Sequence, residues 1–438
     1  MDMNSPLFVD LYELTMAQGY FLENLNGEAV FSTFVRKLPD NRNFLIACGL
    51  ADVLSFLENF KFSSEDIDYL KSLGLFKDEF LDFLKELRFT GDVYALKEGT
   101  IFFENEPILE IKAPIIQCQL LETYVLNQIQ LQTMLVTKGA RICSVAQDRN
   151  VVDFGSRRAH GLDAGLKAAR AFYISGMSAT SNVLAGKIYN IPVTGTMAHS
   201  YIQVHSNEFE AFETFSSIYP RTILLIDTYD IYEGIENVIK LSKKLGDKFS
   251  ITGIRIDSGD IITTSKEIRK ILDRAGLYNV KIIVSGSLDE YKIYEIVKEN
   301  VPIDGFGVGT KAIVSEDAPF LDIVYKLTEY KGEGKFKKSK GKSTIPFQKQ
   351  VYRHIDGGKY REDVISKYNE VLPGNPLIIK VMENGRLRDG AVEELDIIKE
   401  RVKKELSMLP DNLKKLQKSE EPYPVKFSPS LEKIRISL

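Results

Sequence analysis

The chain has 438 residues, 44% of them hydrophobic, which is ample for a buried core and more than one core usually holds, so two or three domains are expected. Its 57 basic and 61 acidic residues leave a formal charge of −4, which gives no reason to expect nucleic-acid binding. No apolar run reaches the roughly 18–20 residues that span a bilayer, the N-terminus lacks the marks of a signal peptide, and Cys48, Cys118 and Cys143 are too widely spaced for a zinc knuckle.

A cytoplasmic enzyme or binding protein is therefore expected, with no membrane partner. Residues 1–27 read as an arm and a short helix, "PLFVDLYELTMAQGYFLEN", and the alternation in "AVFSTFVRKL" predicts a strand. Helical segments follow around 50–60, 64–73 and 77–88, with Ser63 and Ser64 placed as caps. The run "GDVYALKEGTIFFENEPILEIKAP" alternates through turns at Glu98-Gly99 and Glu104-Asn105, as β-hairpins do. Residues 1–115 are expected to form an N-terminal α/β sandwich domain, and 116–147, after Pro114, a long amphipathic helical stretch.

From 150 to 312, short β-rich runs end in Gly, Ser or Asp and mostly lead into helices: "NVVDFGS", "IPVTGT", "TILLIDT", "ITGIRIDSGD", "VKIIVSG" and "IDGFGVGT". Their spacing is that of βα units, so residues 116–330 are expected to form an irregular, TIM-like α/β barrel. Residues 331–438 are read as a C-terminal extension on the N-terminal domain. It begins with a lysine-rich loop (331–349), continues with hairpins at Asp356-Gly357-Gly358 and Asn384-Gly385, and ends with a charged helix near 391–407. The "GKST" at 341–344 is not a P-loop, because Phe336 stands where the first glycine is required.

In an α/β barrel the C-terminal ends of all strands meet on one face, where the loops build a site. That face would collect Phe154, Arg157, His199, Asp227, Arg255, Asp257, Ser285, Gly286, Ser287, Gly309 and Thr310. "VSGSLDE" and "GFGVGT" are candidate phosphate cradles, since small residues let backbone N–H groups converge on an oxygen and a helix N-terminus follows. They could also be tight turns that need glycine for conformation alone. Arg255 and Asp257, two apart on one strand, could bind an anion and sugar hydroxyls, or simply pair with each other. In "DFGSRRAHG" Phe154 could stack on a flat ring, with Arg157 or Arg158 on an anion. His199 ends one run and Asp227 the next, so imidazole and carboxylate can meet. His205 has no comparable place, and its spacing from His199 suits neither a helix nor a strand metal pair, so no metal site is expected.

At these residues the sequence resembles nicotinate phosphoribosyltransferases, from the N-terminal arm to about residue 353. The resemblance is carried by "DLYELTMAQGY", "FSTFVRKLP", "DFGSRRAHG", "GTMAHS", "LLIDTYD", "IRIDSGD", "VSGS", "DGFGVGT", "YKLTEY" and "TIPFQKQVYR". It implies transfer of phosphoribose from 5-phosphoribosyl-1-pyrophosphate (PRPP) to nicotinate in NAD salvage, giving nicotinate mononucleotide and pyrophosphate. Mg²⁺ would arrive with PRPP and ATP. It further implies transient phosphorylation of His199 by ATP, with Asp227 orienting the imidazole. Phe154 would stack on the pyridine, and Tyr12 of the other subunit of a homodimer would lie on its opposite face. Arg157 and Arg255 would lie beside base and phosphates, and Asp257 on ribose hydroxyls. Ser285, Gly286, Ser287, Gly309 and Thr310 would hold the 5′-phosphate. Ser178, in "ISGMSATSN", would favour the acid over the amide, because a hydroxyl can donate to a carboxylate. Phe347 stands where this family has a small residue, usually Gly. The competing readings are a nicotinamide or quinolinate phosphoribosyltransferase, a sugar-phosphate aldolase or isomerase on the same barrel, and a non-catalytic phosphoribosyl-binding protein.

Overall fold

The computed structural model describes residues 5–337 and 344–437, so Gly341, Lys342 and Ser343 of "GKST" lie outside the described residues. The chain forms two compact units, one of residues 1–134 and 318–438 and the other of residues 135–317. The expected domain breaks were placed at 115/116 and 330/331 instead.

In the first unit, N- and C-terminal segments share one seven-stranded antiparallel sheet. The strand Glu28–Val35 sits between Ile323–Tyr330 and Pro107–Pro114, and Asp92–Ala95 pairs with Ile379–Glu383. The alternation in "AVFSTFVRKL" does not mark a half-exposed strand, because Ser32 and Thr33 are as buried as their apolar neighbours. The expected hairpins within 92–114 are also rearranged: Ile101–Phe102 leaves the large sheet and pairs with Leu45–Ile46. The three early helices are Leu50–Glu58, Ser64–Ser72 and Asp78–Glu86. Ser63 alone caps the second, in a reciprocal capping box with Asp66, while Ser64 is its first helical residue. Both C-terminal hairpins form as expected, at Asp356–Lys359 and at Glu383–Arg386, and the charged helix is Leu395–Met408.

Phe347 adopts φ +71°, the left-handed region where a side chain is strained and glycine is at ease. The backbone a glycine would adopt freely is kept here, and the ring is held by packing. It lies against Gly334, where an added Cβ would come within 2.7 Å of it, and Lys367 stands 4.2 Å over its face.

Polar residues are also buried in this unit. Arg353 donates bidentately to Asp363 at 2.6 and 3.0 Å, reaches Glu405 at 3.3 Å, and lies 4.4 Å from the Tyr360 ring centre. Tyr423 donates to the same Asp363 at 2.9 Å, while burial and the charge of Asp363 push the Glu106 carboxyl well above the usual range.

The 25-residue helix Glu122–Ala146 carries the chain into the second unit. The expected stretch 116–147 is broken near residue 120, after the short helix Ile115–Gln119. The long helix is not amphipathic: Gln132, Thr133, Thr137, Lys138 and Arg141 are buried among its apolar residues.

The second unit is built on six parallel strands: β1 (Asn150–Asp153), β2 (Ala179–Thr180), β3 (Ile223–Leu225), β4 (Gly253–Ile256), β5 (Lys281–Val284) and β6 (Gly305–Val308). Their order is β2-β1-β6-β5-β4-β3, a curled parallel sheet forming an irregular half-barrel. Leu224, Ile254, Ile256, Ile282, Val284, Phe306 and Val308 are fully buried, as expected for strands covered on both faces. One expected strand is corrected. "IPVTGT" makes only a single bridge, Val193 to Thr180, because Pro192 removes a donor, and β2 takes the place in the sheet.

Aspartates at a spacing of three divide the work in two of the βα loops. Asp227 and Asp257 end their strands, whereas Asp230 and Asp260 cap the helices Ile231–Leu245 and Ile261–Arg274 by accepting backbone N–H groups. Asp289 caps Glu290–Lys298 in the same way.

Replacing Arg353 with Met would strand Asp363 and Glu106 as a buried acidic pair. Arg353→Met is expected to destabilise the protein by about 3–5 kcal/mol in urea unfolding. A loss near zero would show that the carboxylates find relief without the guanidinium.

Candidate active site

The C-terminal ends of β1, β6, β5, β4 and β3 bring most of the expected residues to one face. Phe154 follows β1, and its ring lies over β6. A Cβ on Gly307 would come within 2.6 Å of that ring, so only glycine leaves room for it. The Arg255 guanidinium is 5.6 Å from the Phe154 ring centre.

Arg255 is fully engaged by the protein. Its Nε donates to Ser285 Oγ at 2.9 Å, Nη1 to Thr196 Oγ1 at 2.7 Å, and Nη2 to Asp257 Oδ1 at 2.9 Å. The internal ion pair that sequence alone left open is therefore present. Ser285 Oγ also donates to Asp257 Oδ1 in a short contact. Burial pushes the Asp257 carboxyl upward, but hydrogen bonds from Ser285 and Arg255, and the charges of Arg255 and His199, outweigh it and hold the group below its ordinary value.

Gly286 (φ +90°) and Ser287 (φ +50°) turn the chain sharply after β5. The Gly286 Cα rests on the Asp257 carbonyl, where a Cβ would lie 2.1 Å from the oxygen. Contrary to expectation, the helix that follows does not present a free N-terminus. Asp289 caps it, accepting from Lys292 N at 2.8 Å, so the loop amides before it are the available anion donors. Gly309 and Thr310 form the neighbouring turn after β6, with Thr310 exposed.

His199 does not end a strand. It opens the short helix His199–Gln203, and its Nδ1 lies 3.1 Å from Thr228 Oγ1, not against Asp227. Asp227 is taken up by β4: its Oδ2 accepts from Asp257 N at 2.8 Å and Ser258 Oγ at 2.7 Å. Its Oδ1 is buried with no partner among the described residues. The segment 193–199 spans the open side of the half-barrel. Thr194 N donates to Thr180 O at one end, and Thr196 and His199 reach Arg255 and Thr228 at the other.

Two expectations are not met by the geometry. Ser178 lies at the start of β2, away from the site end, with its hydroxyl donating to Val151 O at 3.1 Å. Thr180 and Ser181 stand at that strand's far end instead. Arg157 is exposed in the turn Ser156–Arg158 without a contact to the strand-end cluster. Tyr12, expected against the base site of a partner subunit, is 46% exposed on the helix Leu11–Leu22. His205 is a bystander, its Nδ1 2.8 Å from Tyr201 O. Among the described residues, no three His, Cys, Asp or Glu side chains gather as a metal site.

Sequence reasoning missed Thr196, Thr228 and Asp153. Thr196 and Thr228 are short hydroxyl residues beside already chosen ones, in "GTMAHS" and "LLIDTYD". Asp153, fully buried, accepts from Gly155 N at 2.8 Å and Thr180 Oγ1 at 2.7 Å, and so sets the turn that carries Phe154. Burial raises its carboxyl above the ordinary value despite those bonds.

Gly286→Ala should cost about 1–3 kcal/mol from its positive φ, plus the displacement forced by the Asp257 carbonyl. Gly276→Ala, also at positive φ (+76°) but facing open space, bears the backbone strain alone. Equal urea midpoints for the two variants would show that the Gly286 contact is unimportant.

Residues 7–130 match the nicotinate phosphoribosyltransferase (NAPRTase) N-terminal domain, and residues 149–370 match the nicotinate phosphoribosyltransferase (NAPRTase) family. The chain is 49% identical to a nicotinate phosphoribosyltransferase of Mycobacterium tuberculosis, over 96% of this chain and 91% of that protein. It is 38% identical to the nicotinate phosphoribosyltransferase of Bacillus subtilis, over 98% of this chain and 94% of that one. The crystal structure of human nicotinic acid phosphoribosyltransferase superposes with a TM-score of 0.89 at 26% identity, covering 98% of this chain and 99% of the human one. Together with the strand-end cluster, these likenesses establish that the chain belongs to the nicotinate phosphoribosyltransferase family.

Proposed function

We propose that the protein transfers phosphoribose from PRPP to the ring nitrogen of nicotinate, in NAD biosynthesis by salvage. The carrying observation is the linked strand-end cluster Asp257–Arg255–Ser285, set between the Phe154 ring and the Gly286–Ser287 turn. In the reaction the C1–O bond to pyrophosphate breaks and a C1–N bond to nicotinate forms. Positive charge builds on C1 in between, so positioning and charge matter more than a strong base.

Asp257, held ionised by its neighbours, accepts bonds from ribose hydroxyls and lies toward the developing cation. Arg255, fixed at three nitrogens, presents a rigid charge toward the phosphates. The loop amides around Gly286 and Gly309, with the Ser287 and Thr310 hydroxyls, take the 5′-phosphate, while the Ser285 hydroxyl stays on Asp257 and Arg255 beneath them. Phe154 offers a face to the pyridine. Mg²⁺ arrives with PRPP as part of the substrate and spreads the charge of the leaving pyrophosphate.

Transfer is coupled to ATP through His199. Thr228 holds Nδ1, which leaves Nε2 as the nucleophile: with the Nδ1 proton donated to Thr228 Oγ1, the Nε2 lone pair attacks the γ-phosphorus, and the bond to ADP breaks. Asp227 serves this histidine only indirectly, by holding the Asp257 backbone N–H and the Ser258 hydroxyl. A homodimer in which Tyr12 closes the partner's base site completes the reading.

The test is nicotinate mononucleotide formation from nicotinate and PRPP, with and without ATP and with nicotinamide in competition. Product from nicotinate, stimulated by ATP, is expected; none would sink the assignment, and preferential use of nicotinamide would favour the amide reading. His199→Ala should retain slow ATP-independent transfer and lose the acid-labile phosphoenzyme. Labelled phosphate on that variant would place the carrier elsewhere.

A further inference from the structure

The loops after β5 and β6, Ser285–Asp289 and Gly309–Thr310, are the two halves of the phosphate site. The β5–β6 ladder stops at Val284 and Phe306, short of both. Beyond it, side chains set the spacing of the loops, and two lysines run between them. Lys311, directly after Thr310, donates to Asp289 at 2.8 Å. Lys138, from the helix Glu122–Ala146, donates to Glu290 in a short contact and to Asp317 at 2.7 Å. Glu290 follows the first loop, and Asp317 follows the helix Thr310–Ile313 that leaves the second. Arg141, three residues along from Lys138, donates to the other oxygen of Glu290 at 3.0 Å.

The Lys138 side chain is 1% exposed and that of Glu290 is fully buried. Ions so placed add little net stability over apolar groups of the same size, because desolvation cancels most of the attraction. What they impose is geometry. A shift of either Glu290 or Asp317 takes from the buried ammonium one of its two carboxylates, so the chain segments behind both loops are held at one separation. Lys311 repeats the link nearer the loops, in partly exposed surroundings.

We propose that Lys138 is a positioning residue for PRPP, which with Lys311 locks the two phosphate loops at the spacing the 5′-phosphate requires. The inference rests on reading those loops as the phosphate site, and it names residues that never touch the substrate.

The experiment uses the full chain and steady-state nicotinate mononucleotide formation, with Lys138→Met, Lys311→Gln and Lys311→Arg, and with Ser287→Ala and Thr310→Val to test the loops themselves. Lys138→Met and Lys311→Gln should each raise the KM for PRPP by about tenfold or more while that for nicotinate stays within about twofold. Lys311→Arg, which can still reach Asp289, should restore most of the PRPP affinity. Equal changes in both KM values, or none, would overturn the positioning role. Where Lys138→Met does not fold, the same split in Lys311→Gln decides. If Ser287→Ala and Thr310→Val leave the KM for PRPP unchanged, the phosphate reading itself fails. If they raise it and the lysine variants do not, the loops bind phosphate but the cross-links do not position them.

Discussion

Asp257 is the residue on which the site is assembled. Its Oδ1 accepts from Arg255 and Ser285, its backbone N–H donates to Asp227, and its carbonyl supports Gly286. One residue therefore fixes the ends of β3, β4 and β5 at a common level. Parallel strands in a curled sheet have no hydrogen bonds of their own beyond the last ladder pair. The site exists because polar side chains continue the pairing that the strands leave off. Asp153 does the same at the other end of the row, tying β1 to β2 and shaping the turn that lifts Phe154 over Gly307.

Much of this was legible in the sequence because βα units repeat a local pattern. A short β-branched run ending in Asp or Ser identifies a strand end wherever the strand lies in the sheet. The pattern did not distinguish a strand from an extended segment of similar composition, and "IPVTGT" was misread for that reason. It also could not show which neighbour an imidazole meets. Asp227 was the natural partner for His199 by charge, yet the backbone N–H of Asp257 and the hydroxyl of Ser258 hold it, leaving the adjacent Thr228 to meet the ring. Ser178 failed differently: side chains alternate in direction along a strand, and position relative to its end is lost when the strand has only two residues.

Buried charge recurs where loops must be held apart or together. Arg353 gathers Asp363 and Glu405 in one unit, and Lys138 gathers Glu290 and Asp317 in the other. Lys349 is buried against Glu110 and Ser32, and desolvation lowers its ammonium below the ordinary value despite the carboxylate beside it. Arg353 and Asp363 face each other across a hairpin the sequence shows, but the other links join residues far apart in the chain and are not visible from spacing. Hydrophobic packing would fill the same space with less desolvation, but apolar contacts tolerate sliding and an ion pair with fixed donors does not. In both units the buried cation therefore ties two carboxylates from separate segments to one point.

The place of His199 off the sheet has a mechanical consequence for the proposed coupling. Its segment is anchored at Thr194 on β2, at Thr196 on Arg255, and at His199 on Thr228. Met197 carries the chain between the last two anchors, and its carbonyl is 3.4 Å from Arg255 Nη1. A phosphoryl group on Nε2 would add negative charge two residues along the chain from Met197, whose carbonyl that guanidinium meets. Arg255 then has two calls on its charge, Asp257 within the site and the phosphate on His199, and any shift between them alters how firmly Asp257 is held for ribose. An imidazole fixed on a strand could not transmit its state in this way, because the ladder would hold the backbone whatever the ring carried. A segment held by one backbone bridge at β2 and by side chains beyond it can move when one tie changes, which is what the proposed coupling of ATP hydrolysis to transfer at Asp257 requires.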